Sequence, residues 1–241
     1  GTADAGANLG TAINWRGGDP AWAEECQRRS LAMYERLGEQ EGIASAWFAL
    51  GRIAWTRGDF SRAEECFQRS LPIYERSGNQ QGLARCWSGR GNLALERGDL
   101  GGAEECFQHL LAIAERLGNQ GGINGSAVCW NYLGTVAVQR GDLDGAEECF
   151  QRSRAIVECA GPTGHPGIIA YAATALGWIA CERGDLAAAA SQCRGARRLA
   201  RRISAADNEA LAALGLVRAR LRGLPAGVRR RTLDGLQQLN E

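Results

Sequence analysis

Aspartates at 19, 59, 99, 142 and 185 stand 40, 40, 43 and 43 residues apart, and no feature of the chain constrains its fold more. Four of them close the tripeptide Arg-Gly-Asp, at 57–59, 97–99, 140–142 and 183–185; the first closes the related RGGD at 16–19. A spacing of this length maintained across a chain of 241 residues is the mark of a repeat array, and it takes precedence over a domain count based on length. Recurrence also decides what the tripeptide is. An adhesion ligand needs one displayed copy, whereas this one punctuates every unit.

Residues 44–83, ASAWFALGRIAWTRGDFSRAEECFQRSLPIYERSGNQQGL, show one unit in full. In the second half Ala63, Cys66, Phe67, Ser70, Leu71 and Tyr74 follow the i, i+3, i+4, i+7, i+8, i+11 spacing of one helix face, with Glu64, Glu65, Gln68 and Arg69 opposite. The first half repeats the pattern with Trp47, Leu50, Gly51 and Ala54, whose small members let a neighbouring helix approach. The spacing predicts helix, turn, helix, loop. Gly58 falls where the first helix stops and Asp59 where its oxygen can accept the unpaired amides of the next helix, with Arg57 near the negative end of the first helix dipole. Pro20 after Asp19 suits a first helical position. GEQ at 38–40 and GNQ at 78–80 and 118–120 stop the second helices.

These residues resemble the tetratricopeptide repeat family in its longer form of about 40 residues, as in bacterial signalling ATPases, transcriptional regulators and kinesin light chain-like arrays. Trp47, Leu50, Gly51, Ala54, Ala63, Phe67 and Ser70 fill one copy of its pattern, and Trp130, Leu133, Gly134, Ala137, Ala146, Phe150 and Ser153 another. Trp87, Gly91, Ala94, Ala103 and Phe107 fill the copy between them, where Arg90 replaces the expected leucine and Leu110 a small residue. The outer copies depart further, with Gln27 and Cys193 at the phenylalanine position. The resemblance implies an all-α fold, an α-solenoid of antiparallel helix pairs coiling as a right-handed superhelix. Five units are expected at about 1–43, 44–83, 84–126, 127–169 and 170–204. Residues 205–241 form a degenerate sixth pair, a basic C-terminal cap with a Leu224-Pro225 break.

The family's inner-face offsets, carried over unit by unit, select Ser45, Phe48, Arg52, Trp55 and Thr56, then Arg85, Ser88, Asn92, Leu95 and Glu96. In the later units they select Val128, Asn131, Thr135, Val138 and Gln139, then Tyr171, Thr174, Trp178, Cys181 and Glu182. The helix pattern directs Phe48, Trp55, Tyr171 and Trp178 away from the packing inside the pair, as aromatic anchors for a partner, the alternative for Trp55 and Trp178 being that they fill gaps between adjacent units. Asn92 and Asn131 carry amides suited to a peptide backbone, or to plain solvation. The fifth offset holds Phe48, Ser88, Asn131 and Thr174 where the carboxylate-clamp variety has basic groups, which argues against chaperone-tail binding.

Composition narrows the rest. With 45% hydrophobic and 23% charged residues this is a folded chain, and no apolar run approaches the roughly 18 residues that span a bilayer. The start, GTADAGANLG, shows no secretory signal, and the lack of an initiator Met suggests an excised piece of a larger protein. Nine cysteines, an odd number placed by the repeat and lacking any C-x-x-C pair, read as buried free thiols in a reducing, cytoplasmic compartment. His109 and His165 have no nucleophile near them in the pattern, and Glu64-Glu65, Glu104-Glu105 and Glu147-Glu148 recur as a solvated face. No cofactor, metal or catalytic set is expected.

Residues 1–193 carry net charge −6 and residues 194–241 net +7, all the cations being arginine. Arg218, Arg222, Arg229, Arg230 and Arg231 could therefore meet an anionic partner. Without aromatic residues among them or a known module, nucleic acid is the weaker reading, and an acidic neighbour within the array the stronger. The sequence thus points to a non-catalytic module that binds a protein or peptide on its inner face, as sensor or scaffold in a larger signalling protein. The alternatives are a small-ligand sensor and nucleic-acid association through the arginine-rich end. The N-terminal pair lacks an evident cap, so a second copy or a neighbouring domain is expected there.

Overall fold

The computed structural model describes residues 20–118 and 120–223. Leu9, Gly10, Asp19, Leu224, Pro225 and Arg229, Arg230 and Arg231 lie outside them, as does the N-terminal edge expected to meet a neighbour. Among the described residues every regular element is helical. In chain order they are α1 (Pro20–Leu37), α2 (Gln40–Thr56), α3 (Phe60–Ser77), α4 (Gln80–Glu96), α5 (Leu100–Leu117), α6 (Gln120–Arg140), α7 (Leu143–Cys159), α8 (Pro166–Glu182), α9 (Leu186–Arg202) and α10 (Ala206–Arg222). A short 3-10 turn, Gly161–Thr163, lies between α7 and α8. The even-numbered helices are the first members of the pairs, called A helices below, and the odd-numbered ones the second, or B helices.

The described helices fall into two compact units that divide inside α5, after Ile113. In the first unit α1 packs on α2, α2 on α3, α3 on α4, and α2 also touches α4. In the second, α6 packs on α7, α7 on α8, α8 on α9 and α9 on α10, while α8 touches both α6 and α10. The A helices α2, α6 and α8 therefore each meet their own B helix and an A helix of the same unit. Within each unit this is α-solenoid stacking of antiparallel pairs.

The Arg-Gly-Asp turn works as its chemistry requires. Gly58, Gly98, Gly141 and Gly184 hold φ of 75°, 73°, 81° and 85°, in the left-handed region that a side chain resists. With Gly58 so placed, its N–H reaches Trp55 O at 2.9 Å and the Asp59 N–H reaches Ala54 O at 3.0 Å, which satisfies two of the last carbonyls of α2. The Asp59, Asp99, Asp142 and Asp185 carboxylates then accept from the N–H of Arg62, Gly102, Gly145 and Ala188 at 2.9–3.1 Å. Each such cap stabilises its helix by about 1 kcal/mol. Asn79 does the same for α4 through Gly82 N–H at 2.9 Å.

Packing inside a pair rests on a ring set against a glycine. Phe67, Phe107 and Phe150 are almost wholly buried, and a Cβ added to Gly51, Gly91 or Gly134 would come within 2.7, 2.5 and 2.8 Å of them. Where the phenylalanine is replaced by Cys193, its sulfur holds the same place against Gly177, at 2.6 Å from such a Cβ. The glycine is the socket and the B-helix residue the plug, a close fit of the kind that interior packing density demands.

Between α7 and α8 the longer spacing is taken up by the loop GPTGHPG. Asn124 of α6 ties it down, donating to Thr163 O at 3.3 Å and accepting from the His165 N–H at 3.0 Å. His165 Nδ1 in turn accepts from the Gly167 N–H at 3.1 Å, so this histidine caps α8.

Candidate functional site

In the second unit the A-helix face opens into a cavity of about 580 Å3 between α6, α8 and α10. Thr135, Val138, Tyr171, Ala175, Trp178, Glu182 and Arg218 line it, over a floor formed by Leu143, Phe150 and Ile179. Period explains the convergence. Thr135 and Val138 lie three apart on α6, and Tyr171, Ala175, Trp178 and Glu182 follow three-and-four spacing on α8, so each helix turns one stripe to the same space. Six residues selected by sequence, Thr135, Val138, Tyr171, Trp178, Glu182 and Arg218, are brought together here.

The polar groups of the cavity are ordered. Thr135 Oγ1 donates to Asn131 O at 3.0 Å and lies 3.2 Å from the Tyr171 hydroxyl. Because the threonine proton is engaged with the carbonyl, the tyrosine hydroxyl is the donor to Thr135 and keeps its own oxygen as an acceptor. At the opposite end Glu182 accepts from Arg218 and, at 2.8 Å, from Arg222, which also donates to Cys181 O at 2.7 Å. The Arg218 guanidinium lies 5.8 Å from the Trp178 ring centre. Trp178 Nε1 is buried without an acceptor, its edge turned to α10, where a Cβ on Gly215 would come within 2.8 Å of it.

Other selected residues are placed differently. Phe48 was expected to point away from the packing inside its pair, and the structure corrects this: it is 5% exposed, its ring 5.6 Å from that of Phe67 on the partner helix. Asn131 and Thr174 are likewise buried, at 6% and 5% exposure. Asn131 donates to Ile168 O at 3.5 Å and Thr174 to Ala170 O at 2.9 Å. The physical reason is cover from neighbouring helices: Phe67 of its own B helix and Arg85 of the next repeat close over Phe48, and the adjacent A helix α8 over Asn131. Trp55, Ser88, Asn92 and Arg52 are half-buried and Arg85 is exposed. The Arg85 guanidinium covers the Phe48 ring at 4.5 Å. Burial first, and then the Arg85 charge, hold Arg52 below the ordinary arginine range.

In the first unit, the arginine that replaces the expected leucine shapes the outer surface. Arg90 pairs with Glu64 at 3.2 Å and lies 5.2 Å from the Trp87 ring centre, whose other close contact is the His109 ring, stacked at 4.3 Å. A smaller polar cavity of about 360 Å3 adjoins them, with Arg97, Asp99 and Glu105 on its walls. At the C-terminal side, Arg218 and Arg222 share Glu182, and Arg197 and Arg201 share Glu209. All nine cysteines are free thiols. Among the described residues no group of three or more His, Cys, Asp or Glu side chains could hold a metal ion, and no helix is long and apolar enough to cross a membrane.

Helix pairs stacked in this way, each closed by a glycine turn and plugged against a glycine by a phenylalanine or, in α8–α9, by Cys193, define the class of helical-repeat proteins. The family model for the tetratricopeptide repeat matches residues 3–76 and 82–158, and the chain belongs to that family. Comparison with curated protein sequences found no match. Among solved structures it is similar to BtubC from P. vanneervenii, with 19% identity, TM-score 0.69 and coverage of 80% of this chain and 78% of that one. It is also similar to a Rap protein complexed with Competence and Sporulation Factor, with 15% identity, TM-score 0.69 and coverage of 97% and 63%. A third is the STAND protein with a tetratricopeptide repeat sensor from Pyrococcus horikoshii, with 10% identity, TM-score 0.73 and coverage of 89% and 32%. At these identities the likeness is one of fold.

Proposed function

We propose that the chain is a non-catalytic protein-binding array that receives a protein or peptide segment on its A-helix face, as the sensing or scaffolding part of a larger cytoplasmic signalling protein. The observation that carries this reading is the convergence of Thr135, Tyr171, Trp178 and Arg218 on one open cavity of the second unit. Aromatic walls with a few ordered polar groups are what a partner's anchoring side chain requires. Two proteins alike in fold support it: one was solved in complex with Competence and Sporulation Factor, and another carries a tetratricopeptide repeat sensor. The nucleic-acid reading loses weight because Arg218 and Arg222 lie on Glu182, and Arg197 and Arg201 on Glu209, so these charges are partly neutralised within the fold.

The test is capture of partners from a source lysate by the isolated chain, at low and moderate salt, with and without nuclease, and with an Arg218→Glu/Arg222→Glu variant beside the native chain. A protein that stays bound through nuclease and moderate salt is expected. Recovery of nucleic acid alone, lost as salt rises, would move the function to the arginine-rich end.

A further inference from the structure

We propose that the cavity between α6, α8 and α10 takes one large apolar side chain of a protein partner, and that Arg218 pairs with a carboxylate next to that side chain. The inference rests on the A-helix face being the binding surface, and adds what the partner must present there.

The walls argue for the apolar side chain. Phe150 and Ile179 are buried at the floor, Tyr171 and Trp178 form the sides, and the volume of about 580 Å3 lies within the ~300–1,000 Å3 of sites that enclose a ligand-sized group. The Trp178 indole is a fixed wall, because Gly215 of α10 leaves room for its N–H edge and a side chain there would not. Apolar surface continues to the lip, where Val138 is 41% exposed. A partner chain, rather than an isolated small molecule, would cover it.

The rim argues for the carboxylate. Glu182 is held by two arginines, so the trio carries one net positive charge beside the cavity mouth. Arg222 is anchored a second time at Cys181 O, whereas among the described residues Arg218 holds to Glu182 and the face of Trp178. Arg218 can therefore turn to an incoming anion while Glu182 keeps a partner, and no carboxylate is left unpaired. A cation at the same place would have to displace an arginine from Glu182 and would leave a like charge beside it.

The probes are acetyl-Gly-Phe-Asp-Gly-amide, the same peptide with Ala for Phe or Asn for Asp, and phenylpropionate. Each is titrated into the 15N-labelled chain while the indole N–H signal of Trp178, assigned by its loss in Trp178→Phe, is followed. The Phe-Asp peptide should shift that signal saturably. The Ala-Asp peptide should bind at least about tenfold more weakly, from the lost burial of one aromatic side chain. The Phe-Asn peptide should bind up to about fivefold more weakly, as expected for a partly exposed ion pair. Arg218→Gln should remove the preference for Asp over Asn without changing the thermal melt, and Ala175→Trp should abolish binding by filling the space. Absence of a saturable shift, equal binding of the Ala-Asp peptide, or an Asp preference that survives Arg218→Gln would each overturn the proposal. Phenylpropionate binding as tightly as the peptide would replace the protein partner by a small ligand. If partner capture succeeds while the peptides fail, this assignment alone falls; if no protein partner is captured, the reading beneath it falls.

Discussion

Arg183, in the turn that ends α8, ion-pairs with Glu147 of α7, the B helix of the preceding repeat. Arg57 makes the equivalent pair with Glu24 of α1 in the first unit. In both cases an arginine two residues before a repeat's aspartate meets a glutamate five residues after the previous one. At 57 and 183 the first residue of Arg-Gly-Asp thus joins consecutive repeats, while the second and third turn the chain and start the next helix. Asp144 also takes part in the Arg183 pair, and Arg28 and Arg62 in that of Glu24.

Glu24 makes this joint dependent on pH. Burial alone would raise its carboxyl, but the hydrogen bond and charge of Arg62, then the charges of Arg28 and Arg57, outweigh burial and hold it below the ordinary carboxylate range. A group lowered in this way contributes stability above its unfolded pKa, and that contribution is lost as pH falls through the lower folded value, because the unfolded chain binds the proton first. Glu24→Gln should therefore reduce stability at neutral pH by up to about 1 kcal/mol, the surrounding arginines being part-exposed. It should also flatten the acid side of the stability curve. Urea denaturation of both chains at stepped pH would show it; parallel curves would contradict it.

The glycines separate into those that are sockets and those that are not. Gly91→Ala brings a methyl to 2.5 Å from Phe107 and should destabilise by about 1–3 kcal/mol, the range for overpacking a filled core. Gly195, inside α9, has nothing within 4 Å of an added Cβ, so Gly195→Ala should stabilise by about 0.5–1 kcal/mol through helix propensity. Chemical denaturation of the two variants checks both signs at once.

Burial pushes the Cys86 and Cys106 thiols up to about 11 and Cys129 to about 12, so at neutral pH they are protonated and inert. Cys159 is exposed at the end of α7. Brief treatment of the folded chain with iodoacetamide should label Cys159 first and leave Cys86, Cys106 and Cys129 unmodified until denaturant is added, as peptide mass spectrometry would read. Labelling of Cys129 in the folded chain at the rate of Cys159 would contradict the packing described for α6.

What could be read in the sequence was whatever a single helix or turn decides. The glycine stops, the aspartate caps and the room that Gly51 leaves for a neighbouring helix follow from spacing along one pair and were legible, whereas the ring that fills that room, Phe67, is located by the packing. The Arg–Glu joints were not, although their signal was present: Glu24, Glu64, Glu104 and Glu147 each stand five after a repeat aspartate. Periodicity assigns such residues to a solvated face, and only the packing of one repeat on the next turns that face toward an arginine. The same blindness explains Phe48, Asn131 and Thr174, which lie on the correct stripe of their helices yet are covered by neighbours. It also explains the cavity. Tyr171 and Trp178 were visible as aromatic residues at inner offsets, but the space between them depends on Gly215 admitting the indole edge from α10.

The central claim is that partners bind the A-helix face, and site-directed photo-cross-linking tests it most directly. Benzoylphenylalanine is placed at Ser88 or Val138 on A helices, and at Gln108 or Gln151 on B helices, and each chain is irradiated with the captured partner. Adducts from Ser88 or Val138, with none from Gln108 and Gln151, are the predicted result. Adducts from the B-helix positions alone would place the binding surface on the other side of the repeats and contradict the account.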